Sequence, residues 1–148
     1  MIEVILLGCG ATMPAPGRAL SAAVLRCAGR ELLFDCGEGT QTALRRQHVS
    51  PRRIDLIALT HYHGDHIFGL PGLLQTMSAL GRTEPLYLTG PEGLGEVLQP
   101  IAKLTGELGF PLRPLPAGAL HLQELSAQWP RGAELCAFPT EHRVPSLG

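Results

Sequence analysis

The chain has 148 residues, 45% of them hydrophobic and 17% charged, with a net charge of −1 at pH 7. That length makes one ordinary domain, residues 1–148, and the near-neutral balance excludes a generally basic nucleic-acid binder, so any nucleic-acid contact must be local. The 18 glycines and 13 prolines make it turn-rich without a disordered composition, and its apolar runs fall far short of a bilayer span, so no membrane partner is expected.

Residues 2–9 (IEVILLGC) are apolar, partly β-branched and stopped by glycine, which predicts a strand; 10–18 read as a loop. Residues 21–27 and 31–36 flank Ala28-Gly29-Arg30 as a hairpin. Thr40 is the expected N-cap of a short helix over 41–47. The continuous apolar run 54–60 predicts a buried strand. A helix is expected over 67–80 after Pro71, a strand over 85–89, and a second helix over 91–106 with Pro91 in its first position. Short strands are expected near 112–115, 119–126 and 133–139. This order predicts an α/β domain, a mixed sheet with helices packed on one face. Met1 runs straight into the first strand with no secretory leader, and Cys9, Cys27, Cys36 and Cys136 contain no C-x-x-C pair. Reduced thiols and a cytoplasmic location are expected.

Three of the six histidines, His61, His63 and His66, fall within six residues, with Asp65 among them. Imidazole and carboxylate are the standard non-sulfur ligands of zinc. At the end of a strand, residues i and i+2 share a side, so His61 and His63 can face one ion. Gly64 allows a sharp turn that sends Asp65 and His66 toward a neighbouring position. Two adjacent metal positions from one loop suit a two-metal hydrolase. A histidine-rich surface loop is the alternative, and the buried strand just before the motif weighs against it. Asp35 reads either as a turn-forming residue or as a carboxylate that orients a ligand histidine. Arg45, Arg46, Arg52 and Arg53 read as a solvated face or as contacts for RNA phosphates, and Cys36 as a small buried residue. His48 and His121 belong to no motif.

THYHGDHIFGLPGLL, 60–74, resembles the metal-binding signature of the metallo-β-lactamase superfamily, and more narrowly that of the ribonuclease Z family. LLGCGATMPAPGR (6–18), LLFDCGEGTQ (32–41), PLYLTGPEGL (85–94) and TEHRVPSLG (140–148) resemble further motifs of that family, in its order. The resemblance covers nearly the whole chain but only the amino-terminal half of a typical member. It implies a metallo-β-lactamase-like αβ/βα sandwich, here about its amino-terminal half, and a zinc endoribonuclease that trims 3′ trailers from precursor tRNA as a homodimer. By that resemblance His61, His63 and His142 hold one zinc ion, Asp65 and His66 belong to a second, and Asp65 is the proton acceptor. The family pattern also has a later bridging Asp and a further His. No Asp follows Asp65 here and no His follows His142, and Ala19 stands where Asn is expected after Arg18. The chain is therefore expected to hold one zinc well and the second poorly, and a catalytically incomplete zinc-binding half-domain, or another hydrolase of the superfamily, are the alternative functions. A half-sandwich is also expected to leave one sheet face and an edge uncovered, and so to associate.

Overall fold

The computed structural model describes residues 1–148. Strands β1 (Ile2–Gly8), β2 (Ala22–Cys27), β3 (Arg30–Phe34), β4 (Ile54–Ala58), β5 (Leu86–Thr89) and β6 (Leu112–Pro114) form one sheet in sequence order. The first three pair antiparallel and β3 to β6 run parallel, which makes the expected mixed sheet. Helices α1 (Thr40–Arg46), α3 (Leu70–Ala79) and α4 (Leu94–Thr105) pack on one face, with the short α2 (Gly64–Ile67) ahead of α3. Leu44, Leu73, Met77 and Ile101 from these helices close over Val24, Leu33 and Ile57 of the strands. The fully buried leucines of α3 recur at three- and four-residue spacing, the pattern that lets one face of a helix enter a core.

Several boundaries differ from expectation for local reasons. Thr40 is the first helical residue rather than the cap: the N-cap is Gly39 at φ 86°, and the Thr40 hydroxyl donates to Gly37 O at 2.7 Å. Helix α4 begins three residues after Pro91, because Gly93 at φ 93° takes the turn into it, and Pro100 is accommodated inside. The stretch 119–126 is only partly a strand. After β7 (Ala119–His121) comes a helical turn, α5 (Leu122–Leu125), and β8 (Glu134–Cys136) returns antiparallel to β7.

That segment covers part of the sheet face that was expected to be bare. Leu32 and Leu56 are buried beneath Leu122 and Trp129. The Trp129 indole Nε1–H donates to Asp55 Oδ2 at 2.8 Å, and Arg30 Nε donates to the same oxygen at 2.7 Å, so the buried carboxylate is fully paired. The uncovered part is the edge strand β1, where Ile2, Val4 and Leu6 are exposed.

At the other end, Arg82 is 2% exposed and donates to the carbonyl oxygens of Glu84, Ile54 and Pro85. Burial lowers its pKa to about 10, so it remains a cation at neutral pH and clamps β4 to β5.

The β2–β3 hairpin turns through Ala28 (φ 51°) and Gly29 (φ 79°). Two positive φ angles match the twist of a two-residue hairpin, but a Cβ costs about 1 kcal/mol there. Because Ala28 is exposed, Ala28→Asn should stabilise the fold by about 1 kcal/mol and raise Tm by roughly 2–4 °C. Thermal denaturation followed by circular dichroism checks this, and an unchanged or lower Tm would remove the strain argument.

Candidate metal centre

The site lies at the carboxyl ends of the parallel strands β3 and β4, where connecting loops leave the sheet and open α/β folds carry their ligands. Two loops are zipped together there. Cys36 N–H donates to His66 O at 2.7 Å, and Gly69 N–H donates to Cys36 O at 2.9 Å. The crossing is tight enough to need glycine. A Cβ on Gly69 would collide with the Gly37 carbonyl oxygen and lie 2.9 Å from that of Cys36. Gly69→Ala should therefore cost about 3 kcal/mol, a fall in Tm of roughly 6–12 °C, since backbone rather than a flexible side chain must yield. An alanine variant that melts with the wild type would show that the loops can separate freely.

Strand β4 ends at Ala58, residues 59–63 lie outside any helix or strand, and His63 is extended (φ −66°, ψ 149°) before α2 begins at Gly64. At Gly64 the chain turns from the extended His63 into the helix. Gly64 opens the helix, and its missing side chain makes room for the Phe68 ring. His142 arrives from the other direction, on the hairpin of β9 (Pro139–Thr140) and β10 (Ser146–Leu147), whose Leu147 N–H donates to Thr60 O at 2.9 Å. The ligand-capable atoms of His61, His63 and His142 all lie within 4.8 Å of one another. Three imidazoles so placed fit one transition-metal ion with an open position.

His61 is buried, while His63 and His142 are exposed. Burial, aided by His66 and His63 beside it, pushes the His61 imidazole below its ordinary pKa and favours the neutral form that can ligate. The backbone N–H of Arg143 donates to His142 Nδ1 at 2.8 Å. His66 is not one of the three, although its ring centroid is 4.0 Å from that of His61. Its Nδ1 pairs with Asp35, and its Nε2 lies 3.8 Å from Asp65 Oδ2. The Thr12 backbone N–H donates to Asp65 Oδ2 at 2.9 Å and is the main cause holding that carboxyl below its usual range.

Asp35 is a turn residue, and its carboxylate also lies against a histidine of the motif. Its φ is 56°, a left-handed turn residue. Its Oδ2 also lies 2.7 Å from His66 Nδ1, and its Oδ1 accepts the Thr60 N–H at 2.8 Å. Thr12, Ser21 and Thr60 were not singled out in the sequence, and only the hydroxyl ahead of the first histidine offered a signal. Cys36 is buried and its thiol is pushed up to about 12, which keeps it protonated and inert. His48 is exposed, and His121 lies 3.7 Å from Glu134, both away from the site.

Residues 2–99 match the family model described as Anti-Pycsar protein Apyc1. The chain belongs to that family. Curated relatives of this Apyc1-family chain bear out the resemblance to ribonuclease Z. The ribonuclease Z of Clostridium beijerinckii is 48% identical over 110 residues, 74% of this chain and 36% of that protein. That of Clostridioides difficile is 39% identical over 150 residues, 100% of this chain and 48% of that protein. The chain thus spans about half, or less, of the length of these relatives. Among solved structures, human tRNase Z, short form, superposes with a TM-score of 0.80 at 36% identity, covering 99% of this chain and 63% of that one. The metallo-β-lactamase fold protein YhfI from Bacillus subtilis gives 0.75 at 25% identity, covering 99% of this chain and 55% of that one. The fold is that of the metallo-β-lactamases, whose members bind metal. No helix is long and apolar enough to cross a membrane.

Proposed function

We propose that this Apyc1-family chain carries the metal centre of a zinc-dependent endoribonuclease that removes 3′ trailers from precursor tRNA in the cytoplasm, acting as a homodimer. The observation that carries the reading is the convergence of His61, His63 and His142 in a chain whose curated relatives are ribonucleases Z. Those three residues would hold one zinc ion, and Asp65 with His66 would contribute to a second. Zinc, when bound, supplies positive charge that neutralises phosphate oxygens and makes a water acidic near neutral pH.

The remaining chemistry belongs to the side chains. Asp65, held ionised by the Thr12 N–H, takes the proton of the attacking water. The Thr12 bond fixes its carboxylate, so little reorganisation is needed when the proton moves. Neutral His61 presents a lone pair rather than a charge.

A second reading has support of its own. The chain spans about half of its relatives, and the matching family model bears the name of an anti-Pycsar protein rather than a ribonuclease. A zinc-binding half-domain without turnover, or a hydrolase of another phosphodiester, would fit those facts. Zinc titration, followed by incubation of the loaded protein with a 3′-extended precursor tRNA and with bis(p-nitrophenyl) phosphate, separates the three. Release of the 3′ trailer supports the endoribonuclease. Stoichiometric zinc with no turnover of either substrate supports the half-domain. Turnover of the ester alone supports another hydrolase, and failure to bind zinc overturns the metal centre.

A further inference from the structure

Beneath the histidine cluster, the Asp35 carboxylate gathers several polar contacts, among them the Ser21 hydroxyl, which donates to Oδ2 at 3.4 Å. Asp35 Oδ1 accepts the Thr60 N–H, and Thr60 Oγ1 lies 2.9 Å from Oδ1 and 3.0 Å from Oδ2. Oδ2 also lies 2.7 Å from His66 Nδ1. Thr60 Oγ1 is in turn 3.0 Å from His61 Nδ1. The Asp35 side chain is 7% exposed, so protein groups rather than bulk water decide these partners.

The direction of each bond follows from counting protons. An ionised carboxylate only accepts, and a hydroxyl has one proton to give. The Thr60 proton therefore goes to Asp35, and the Thr60 oxygen is left facing His61 Nδ1 as an acceptor. His61 must then carry its proton on Nδ1. His66 must do the same, because it meets Asp35 directly. A neutral imidazole has one ring proton, so both rings are left with a bare Nε2. In His66 that nitrogen faces Asp65, 3.8 Å away.

We propose that Asp35 is the positioning residue that sets the Nδ1–H tautomer of both His61 and His66, the first through the Thr60 hydroxyl and the second directly, so that both rings offer Nε2 to metal. This rests on the metal-centre reading above. One carboxylate thereby couples the two metal positions; Thr60 Oγ1 also lies 3.4 Å from His66 Nδ1, but the shorter contact of that nitrogen is the direct one to Asp35, so the two rings can be tested separately. In Asp35→Asn the amide keeps the size of the carboxylate, and Asn tolerates the left-handed φ. Its oxygen can stay with Thr60, which turns its NH₂ toward His66 Nδ1. That nitrogen must now accept, the proton moves to Nε2, and the lone pair toward Asp65 is lost. An Asp→Asn change that leaves geometry intact but selects the wrong histidine tautomer is known to be severe elsewhere. Thr60→Val removes the His61 branch, which Thr60→Ser restores, and leaves the direct Asp35–His66 contact in place.

The test is long-range ¹⁵N–¹H spectroscopy of the metal-free protein near neutral pH, combined with Zn²⁺ affinity from competition with a chromophoric chelator. Wild type should show Nδ1–H at His61 and His66. Asp35→Asn should move His66 to Nε2–H and leave His61 unchanged. Thr60→Val should mix the His61 tautomers and weaken Zn²⁺ binding 10–100-fold, the usual effect of losing such a partner, while Thr60→Ser stays within threefold of wild type. Nε2–H at either ring of the wild type overturns the proposal without any variant. So does His66 remaining Nδ1–H in a folded Asp35→Asn, or a folded Thr60→Val that binds Zn²⁺ like wild type. A wild type that shows both Nδ1–H tautomers yet binds no Zn²⁺ would overturn the metal-centre reading and leave the tautomer assignment standing.

Discussion

Replacing His63 with alanine should leave the purified protein without bound zinc. A four-ligand zinc site is worth about 10–16 kcal/mol, or roughly 3 kcal/mol per ligand, so losing one imidazole of three should weaken binding on the order of 10²–10³-fold. His63 is the informative choice among the three. It is exposed, and no hydrogen bond ties it to the core, whereas His61 is buried against Thr60. The metal-free variant should therefore melt with the metal-free wild type while zinc content falls from one per chain to near zero. Any zinc-dependent turnover should vanish with it. A His63→Ala protein that keeps stoichiometric zinc through purification would show that the ion sits elsewhere.

Asp65→Ala should lower turnover by 10²–10⁴-fold, the range for removing a general base, with much less effect on RNA affinity. A group that receives a proton from the nucleophile acts mainly in the transition state, so its loss is felt in rate rather than in ground-state binding. The backbone N–H of Thr12 would lose its acceptor, a local and modest cost. Single-turnover cleavage of precursor tRNA by a family-length protein, with zinc measured alongside, is the check. Cleavage within about threefold of wild type would exclude the proton-acceptor role. Lost cleavage with one zinc also missing would make Asp65 chiefly a ligand.

Much of the frame was legible in the chain. Strands β1 to β5 sit on the short apolar runs of the sequence, and the parallel half follows from the helices that separate its strands. The histidines of 61–66 were legible as candidates because residue type and spacing carry that chemistry locally, whereas His142 was legible only through the family resemblance of 140–148. What escaped depends on register between distant loops. That Thr12 donates to Asp65, or that Thr60 bridges Asp35 and His61, follows from how the 10–19 and 35–39 loops lie against 60–66, and no local pattern encodes it. Residues 122–125 were read into the preceding strand although Leu, Gln and Glu are good helix formers; as a helical turn they let Leu122 pack beside Trp129 over β3 and β4. Arg82 looks like any surface arginine until the carbonyls that it clamps are brought around it.

Trp129 is the only tryptophan in the chain. Its indole is 2% exposed and bonded to the buried Asp55 carboxylate, at the centre of the segment that covers the second sheet face. Intrinsic fluorescence of this protein therefore reports one event, the seating of residues 119–136 on β3 and β4. Lifting that cover would move the emission to longer wavelength while far-ultraviolet ellipticity, dominated by helices on the opposite face, stayed constant. The hairpin that presents His142 follows the cover directly in the chain. The order in which emission and bound metal change during denaturation would then tell whether the site comes apart with its histidine hairpin or with the loop that carries the other two.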